Sequence, residues 1–81
     1  MNQDEVFKKI VEVLTKYSKA DIPASEITLE TSILEDLKVN SARLVDIILD
    51  FEDVFGIEVD DDDADQVTTV ADGVELIMAK I

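Results

Sequence analysis

Cysteine and histidine are both missing from this chain of 81 residues, and tryptophan with them. Without cysteine there is neither a disulfide framework nor a thiolate metal site, which fits a reducing compartment. Without histidine the usual base for a serine nucleophile is gone, so hydrolysis by a serine–histidine pair is excluded. Aromatics make up only 5% of the chain against 47% hydrophobic residues, so Leu, Ile and Val must supply most of the burial. A chain this short hides roughly 60 to 65% of the surface it exposes when unfolded, and its core has to be economical. Basic residues are scarce as well: 7 stand against 20 acidic ones, a net charge of -13. Such a charge repels nucleic acid phosphates and anionic membrane surfaces and favours partners with basic patches. No apolar run approaches the roughly 20 residues that span a bilayer. The start Met1-Asn2-Gln3-Asp4-Glu5 lacks the basic and apolar blocks of a signal peptide. The expectation is one soluble, cytoplasmic, monomeric domain over residues 1–81, with no nucleic acid partner and no membrane insertion.

Val6, Phe7, Ile10, Leu14 and Tyr17 recur at helical spacing with Lys8, Lys9, Glu12 and Lys16 opposite. This predicts an amphipathic first helix of about four turns. Asp21-Ile22-Pro23-Ala24-Ser25 ends it, because proline disfavours helix at itself and at the residue before it. From there to Asn40 the chain reads as one long ordered loop, with Ile22, Ile27, Leu29, Ile33, Leu34 and Leu37 spaced to pin it against the helices. A loop of that length in a compact domain points to function.

Asn40 is a good N-cap, Ser41 to Phe55 forms the second helix, and Gly56 is a favoured residue just past a helix end. At about 100° per residue, Arg43, Asp46, Asp50 and Asp53 share a narrow sector while apolar residues take most of the rest. The second helix is therefore expected to be central, with one acidic strip exposed. Ile57-Glu58-Val59 reads as an extended linker and Asp60 to Gln66 as a short helix whose first-turn aspartates suit the positive end of the helix dipole. Thr68 or Thr69 caps a last helix with Val70, Val74, Ile77 and Ile81 on one stripe and Asp72 near the position of a capping acid. Gly73 weakens that helix by roughly 1 kcal/mol relative to alanine. The chain shows no internal repeat and no second domain.

Ser41 is the most informative residue: a hydroxyl at the start of a strongly acidic helix, in a chain without histidine or cysteine, suggests an attachment point rather than a catalyst. By position and type alone it is more often an ordinary capping serine. The residues around it decide between the two. The order helix, long loop, Asp36-Leu37-Lys38-Val39-Asn40-Ser41-Ala42, acidic helix, then Val67-Thr68-Thr69-Val70 resembles an acyl carrier protein over nearly the whole chain. That family usually reads Asp-Leu-Gly-x-Asp-Ser-Leu here, and its serine carries a 4'-phosphopantetheine arm whose thiol holds an acyl group as a thioester. The resemblance implies an all-α, acyl-carrier-like antiparallel bundle of three main helices plus one short helix. It also implies 4'-phosphopantetheine on Ser41, a phosphopantetheinyl transferase to place it, and acyl-transferring or acyl-modifying enzymes with basic docking patches. A phosphodiester on a first-turn serine sits where unpaired backbone N–H groups and the helix dipole welcome negative charge.

This chain departs from the family pattern at four places. Asn40 stands for the usual Asp, keeping the capping ability but losing a charge. Ala42 stands for Leu and loses an apolar contact offered to partners. Lys38 stands for Gly and loses easy access to positive φ. Arg43 replaces a frequent acid and moderates the charge beside the attachment site. Together they describe a specialised carrier, or a carrier-like protein that is no longer modified.

Asp46, Asp50 and Asp53, spaced by four and three residues, share a face on which like charges repel by a few tenths of a kcal/mol per pair. Through the resemblance, Asp46, Glu52 and Asp53 match positions that meet basic patches, where electrostatics chiefly sets encounter rate and orientation. Val45 and Leu49 lie away from the Leu44, Ile48, Phe51 and Phe55 stripe, on the side where the resemblance implies partner contact, with plain core packing the alternative. Ile47, Phe51, Ile57 and Ile77 are candidates for lining an acyl cavity, with plain core packing the alternative. The competing function is an unmodified acidic interaction module that docks on basic surfaces through Asp46, Asp50, Glu52 and Asp53. An EF-hand loop starting at Asp60 would need glycine sixth and glutamate twelfth, where the chain has Asp65 and Ala71. The cargo and its pathway stay open.

Overall fold

The computed structural model describes residues 2–20 and 22–81; Met1 and Asp21, where the predicted break begins, lie outside the described residues. The elements are α1 (Gln3–Tyr17), a 3-10 turn (Ala24–Glu26), α2 (Ser41–Phe55), α3 (Asp61–Asp65) and α4 (Val70–Lys80). The fold is all-α, three main helices and one short one, as the residue pattern predicts. Asp60 and Gln66, read from sequence as the ends of the short helix, are its two caps.

Each of the three main helices begins on a capping side chain, whereas Asp60 before α3 makes no side-chain cap hydrogen bond. Asn2 Oδ1 accepts from the Glu5 N–H at 2.9 Å at the start of α1, and Asn40 does the same for α2. Of the two threonines, Thr69 caps α4: its hydroxyl accepts from the Asp72 N–H while the Asp72 carboxylate accepts from the Thr69 N–H. That carboxylate also accepts from the Thr68 hydroxyl at 2.7 Å, and this bond, first among several, holds Asp72 below the usual carboxylate pKa. Gly56 ends α2 in the left-handed conformation, φ 65°.

The central helix is α1, not α2: it packs against α2, α4 and the 3-10 turn. Its buried face is wide, with Val6, Ile10, Val11, Val13 and Leu14 all inside. Ile10 and Phe51 both reach Gly73 of α4, where an added Cβ would lie 3.8 Å from Ile10 Cδ1 and 3.9 Å from Phe51 Cε2. Ile81, placed by periodicity on the α4 stripe, falls beyond the helix and is 49% exposed.

The long loop is a strap tied at two places. Near the start of α4, Ser32 and Thr69 form an antiparallel bridge. There the Ile33 N–H donates to Thr68 O at 2.9 Å, and the Val70 and Ala71 N–H groups donate to Thr31 O and Leu29 O. The strap thereby satisfies two N–H groups that a helix start leaves unpaired. Near the end of α1, the Lys19 N–H donates to Leu37 O at 3.0 Å and the Ser18 hydroxyl donates to the same oxygen at 3.3 Å. Ile27, Ile33, Leu37 and Val39 are buried beneath it. Among the described residues no helix is long and apolar enough to cross a membrane.

Candidate functional site

Ser41 is the first helical residue of α2 and its side chain is exposed. Asn40 before it is extended, with φ -79° and ψ 164°, and its side-chain oxygen takes the Arg43 N–H at 2.9 Å. The N–H groups of Ser41 and Ala42 keep no acceptor within the helix. A phosphodiester on the Ser41 oxygen therefore meets free donors and the positive end of the α2 dipole, so the residues present fit such a group.

The approach to Ser41 is held in an unusual conformation. Leu37 is fully buried with its carbonyl tied to the end of α1, and Lys38 next to it adopts φ 55°. This is the left-handed region, which costs an L-residue about 1 to 2 kcal/mol. The chain thus makes the turn for which the family pattern uses glycine, but with a lysine.

On the outer side of α2, Ala42 is exposed and Val45 and Leu49 are 59% and 55% exposed. Spaced by three and four residues, they form one apolar stripe. Beside it Arg43 pairs with Asp46 at 3.2 Å, so the acidic strip is partly neutralised near Ser41. Glu52 is half-buried and Asp53 exposed.

Asp50 departs from the picture of a solvated strip, because it is half-buried and accepts a hydrogen bond from the Tyr17 hydroxyl at 2.8 Å. That bond, with burial and the charges of Asp50 and Asp46 adding to it, raises the Tyr17 pKa above its ordinary 10.0. Helical spacing put Tyr17 on the apolar face of α1 without a partner. The overlooked signal was the phenol itself, since a tyrosine packed against a core usually finds an acceptor for its hydroxyl.

Ile47, Phe51 and Ile77 are buried in the common core, and Ile57 is half-buried against it. The Phe51 and Phe55 rings meet edge-on at 6.4 Å. Among the described residues no group of three acids is placed to hold a metal ion, the aspartate run at the start of α3 included.

Residues 8–77 match the family described as "Phosphopantetheine attachment site". An acyl carrier protein of Thermotoga maritima is 35% identical over 80 residues, covering 99% of this chain and 96% of that one. One from Lactobacillus acidophilus is 38% identical over 77 residues, covering 95% and 94%. The chain belongs to the acyl carrier protein family. A solved structure published as "Novel Structural Components Contribute to the High Thermal Stability of Acyl Carrier Protein from Enterococcus faecalis" matches with a TM-score of 0.83 at 31% identity, over 100% of both chains. The protein is accordingly a carrier rather than a catalyst, and it works with covalently attached 4'-phosphopantetheine. When bound, that group supplies the thiol that holds the acyl cargo. Family membership also implies encounters with a phosphopantetheinyl transferase and with acyl-handling enzymes.

Proposed function

We propose that Ser41 is the residue that bears the 4'-phosphopantetheine arm. The observation that carries this reading is an exposed hydroxyl on the first helical residue of α2, beside N–H groups without intrahelical acceptors and behind a capping side chain already committed to Arg43. Asn40, Ala42 and Arg43 meet the transferase around it. Partner enzymes then seat an apolar contact on Ala42, Val45 and Leu49 and direct basic side chains to Asp46, Glu52 and Asp53. Asp50 serves this face at second hand, by holding Tyr17 and with it the α1–α2 junction. An acyl chain is sheltered by parting Ile47, Phe51, Ile57 and Ile77. The carrier works as a cytoplasmic monomer.

The test is the intact mass of the protein after incubation with coenzyme A, magnesium and a broad-specificity phosphopantetheinyl transferase, with Ser41→Ala alongside. One phosphopantetheine increment, absent from the variant, is expected. A folded protein that gains no increment from several transferases sinks the assignment and makes the unmodified acidic interaction module the leading reading.

A further inference from the structure

Between the N-terminal half of α1 and the strap lies a trough that takes no residue from α2. One depression of about 550 Å³ is lined by Phe7, Ile27 and Leu29 together with Asp4 and Glu30. A second, of about 350 Å³, is lined by Phe7, Val11 and Ala24 with Lys8 and Glu12. Phe7 lines both, so the two lie side by side along one flank of α1. From Asp4 to Glu12 that flank runs about 12 Å, two turns of an apposed helix. Leu29 is 37% exposed at this face. Three acids, Asp4, Glu12 and Glu30, line the trough against one base, Lys8, and neither ion pair among the described residues uses any of them.

We propose that this trough is a second docking surface, for a cationic amphipathic helix of a partner protein. Apolar side chains at helical spacing enter beside Phe7 and Leu29, and Lys or Arg on their flanks pair with Asp4, Glu12 and Glu30. The same acids, in a chain of net charge -13, disfavour a fatty-acid carboxylate or an anionic lipid as occupant. Because α2 contributes nothing here, a partner held on this face leaves Ser41 and the α2 stripe to a second enzyme. The surface does not depend on Ser41 being modified.

The test is an NMR titration of the isotope-labelled full chain at physiological ionic strength. The probe is a Leu/Lys peptide forming an amphipathic helix of about four turns, compared with a scrambled peptide of the same composition. Amide shifts centred on Phe7, Val11, Ile27 and Leu29 are expected. Leu29→Gln, a substitution at an exposed position, is expected to weaken binding about tenfold. Asp4→Lys with Glu30→Lys should weaken it further and flatten its salt dependence. Shifts confined to α2, equal binding of the scrambled peptide, or an unchanged affinity in Leu29→Gln would each overturn the proposal. So would equal shifts from octyl glucoside, which would assign the trough to alkyl chains.

Discussion

Lys38, three residues before α2, and Gly56, just after it, share a positive φ, 55° and 65°, and only one of them is glycine. A side chain in this region carries a steric cost that glycine avoids, offset in part by glycine's greater freedom in the unfolded chain. Lys38→Gly should therefore raise the unfolding free energy by about 0.5 to 1 kcal/mol. Gly56→Ala should lower it by about 1 kcal/mol through φ alone, since nothing lies within 4 Å of the added Cβ. Urea denaturation of both variants reads the two signs, and a Lys38→Gly protein no more stable than its parent would remove the strain argument. The strain falls three residues before Ser41, on the segment that presents the attachment site. This position was legible in the sequence because the family pattern has glycine there and the chain does not. The Asn40 cap was legible for a simpler reason: an Asn at the edge of an apolar-periodic run is a local signal.

At the level of elements, what the sequence made plain was local and what it hid was long-range. The bounds of α2, its Gly56 terminus and the Thr69–Asp72 capping box all follow from residues within a few positions of one another. The Tyr17–Asp50 bond does not, because it joins residues 33 apart and neither helical pattern hints at the other. The same reason explains why α2 looked central: its apolar circumference is visible in sequence, whereas the double contact of α1 depends on where the strap leads the chain. The bond is directly testable because Tyr17 is the chain's single tyrosine. Its phenol should titrate above the ordinary 10.0 in the folded protein, and Asp50→Asn should bring it back down. The sign for stability follows. The folded value lies above the unfolded one, so the contribution is whole below pH 10.0 and disappears as pH rises through the folded pKa. Phenolate absorbance against pH, with alkaline melts of Tyr17→Phe alongside, would expose a bond that does not persist in solution.

Gly73 is the point where three elements meet, and it separates local propensity from packing. Read as sequence, it is a weak residue in α4. In the fold an added Cβ lands at ordinary contact distance from Ile10 and Phe51, 3.8 and 3.9 Å, so alanine meets no clash. Gly73→Ala should thus recover most of the helix penalty, about 1 kcal/mol, and raise the melting temperature by about 4 to 8 °C. A lower melting temperature would mean that Ile10 and Phe51 need the close approach to α4 that only glycine permits.

Charge belongs to the molecule as a whole. The protein measures 30 × 26 × 19 Å and carries 20 acids against 7 bases. The only ion pairs among the described residues, Arg43–Asp46 and Lys80–Asp63, are both partly solvated, so each contributes at most about 1 kcal/mol. At 0.01 M salt the screening length is about 30 Å, as long as the protein, and nearly every acid repels every other. At 0.15 M it is about 8 Å, and only near neighbours such as Asp46 and Asp50 still interact strongly. The unfolded chain spreads the same charges over a larger volume, so added salt should stabilise the folded state. If the relieved repulsion is on the order of 1 kcal/mol, the melting temperature rises by about 4 to 8 °C between those two conditions. Magnesium should act in the same way, without a saturable one-to-one isotherm by calorimetry, because no three acids among the described residues converge on a cation position. A melting temperature indifferent to salt would mean that self-repulsion does not limit the stability of this carrier. Its acidic surface would then bear only on the enzymes it meets.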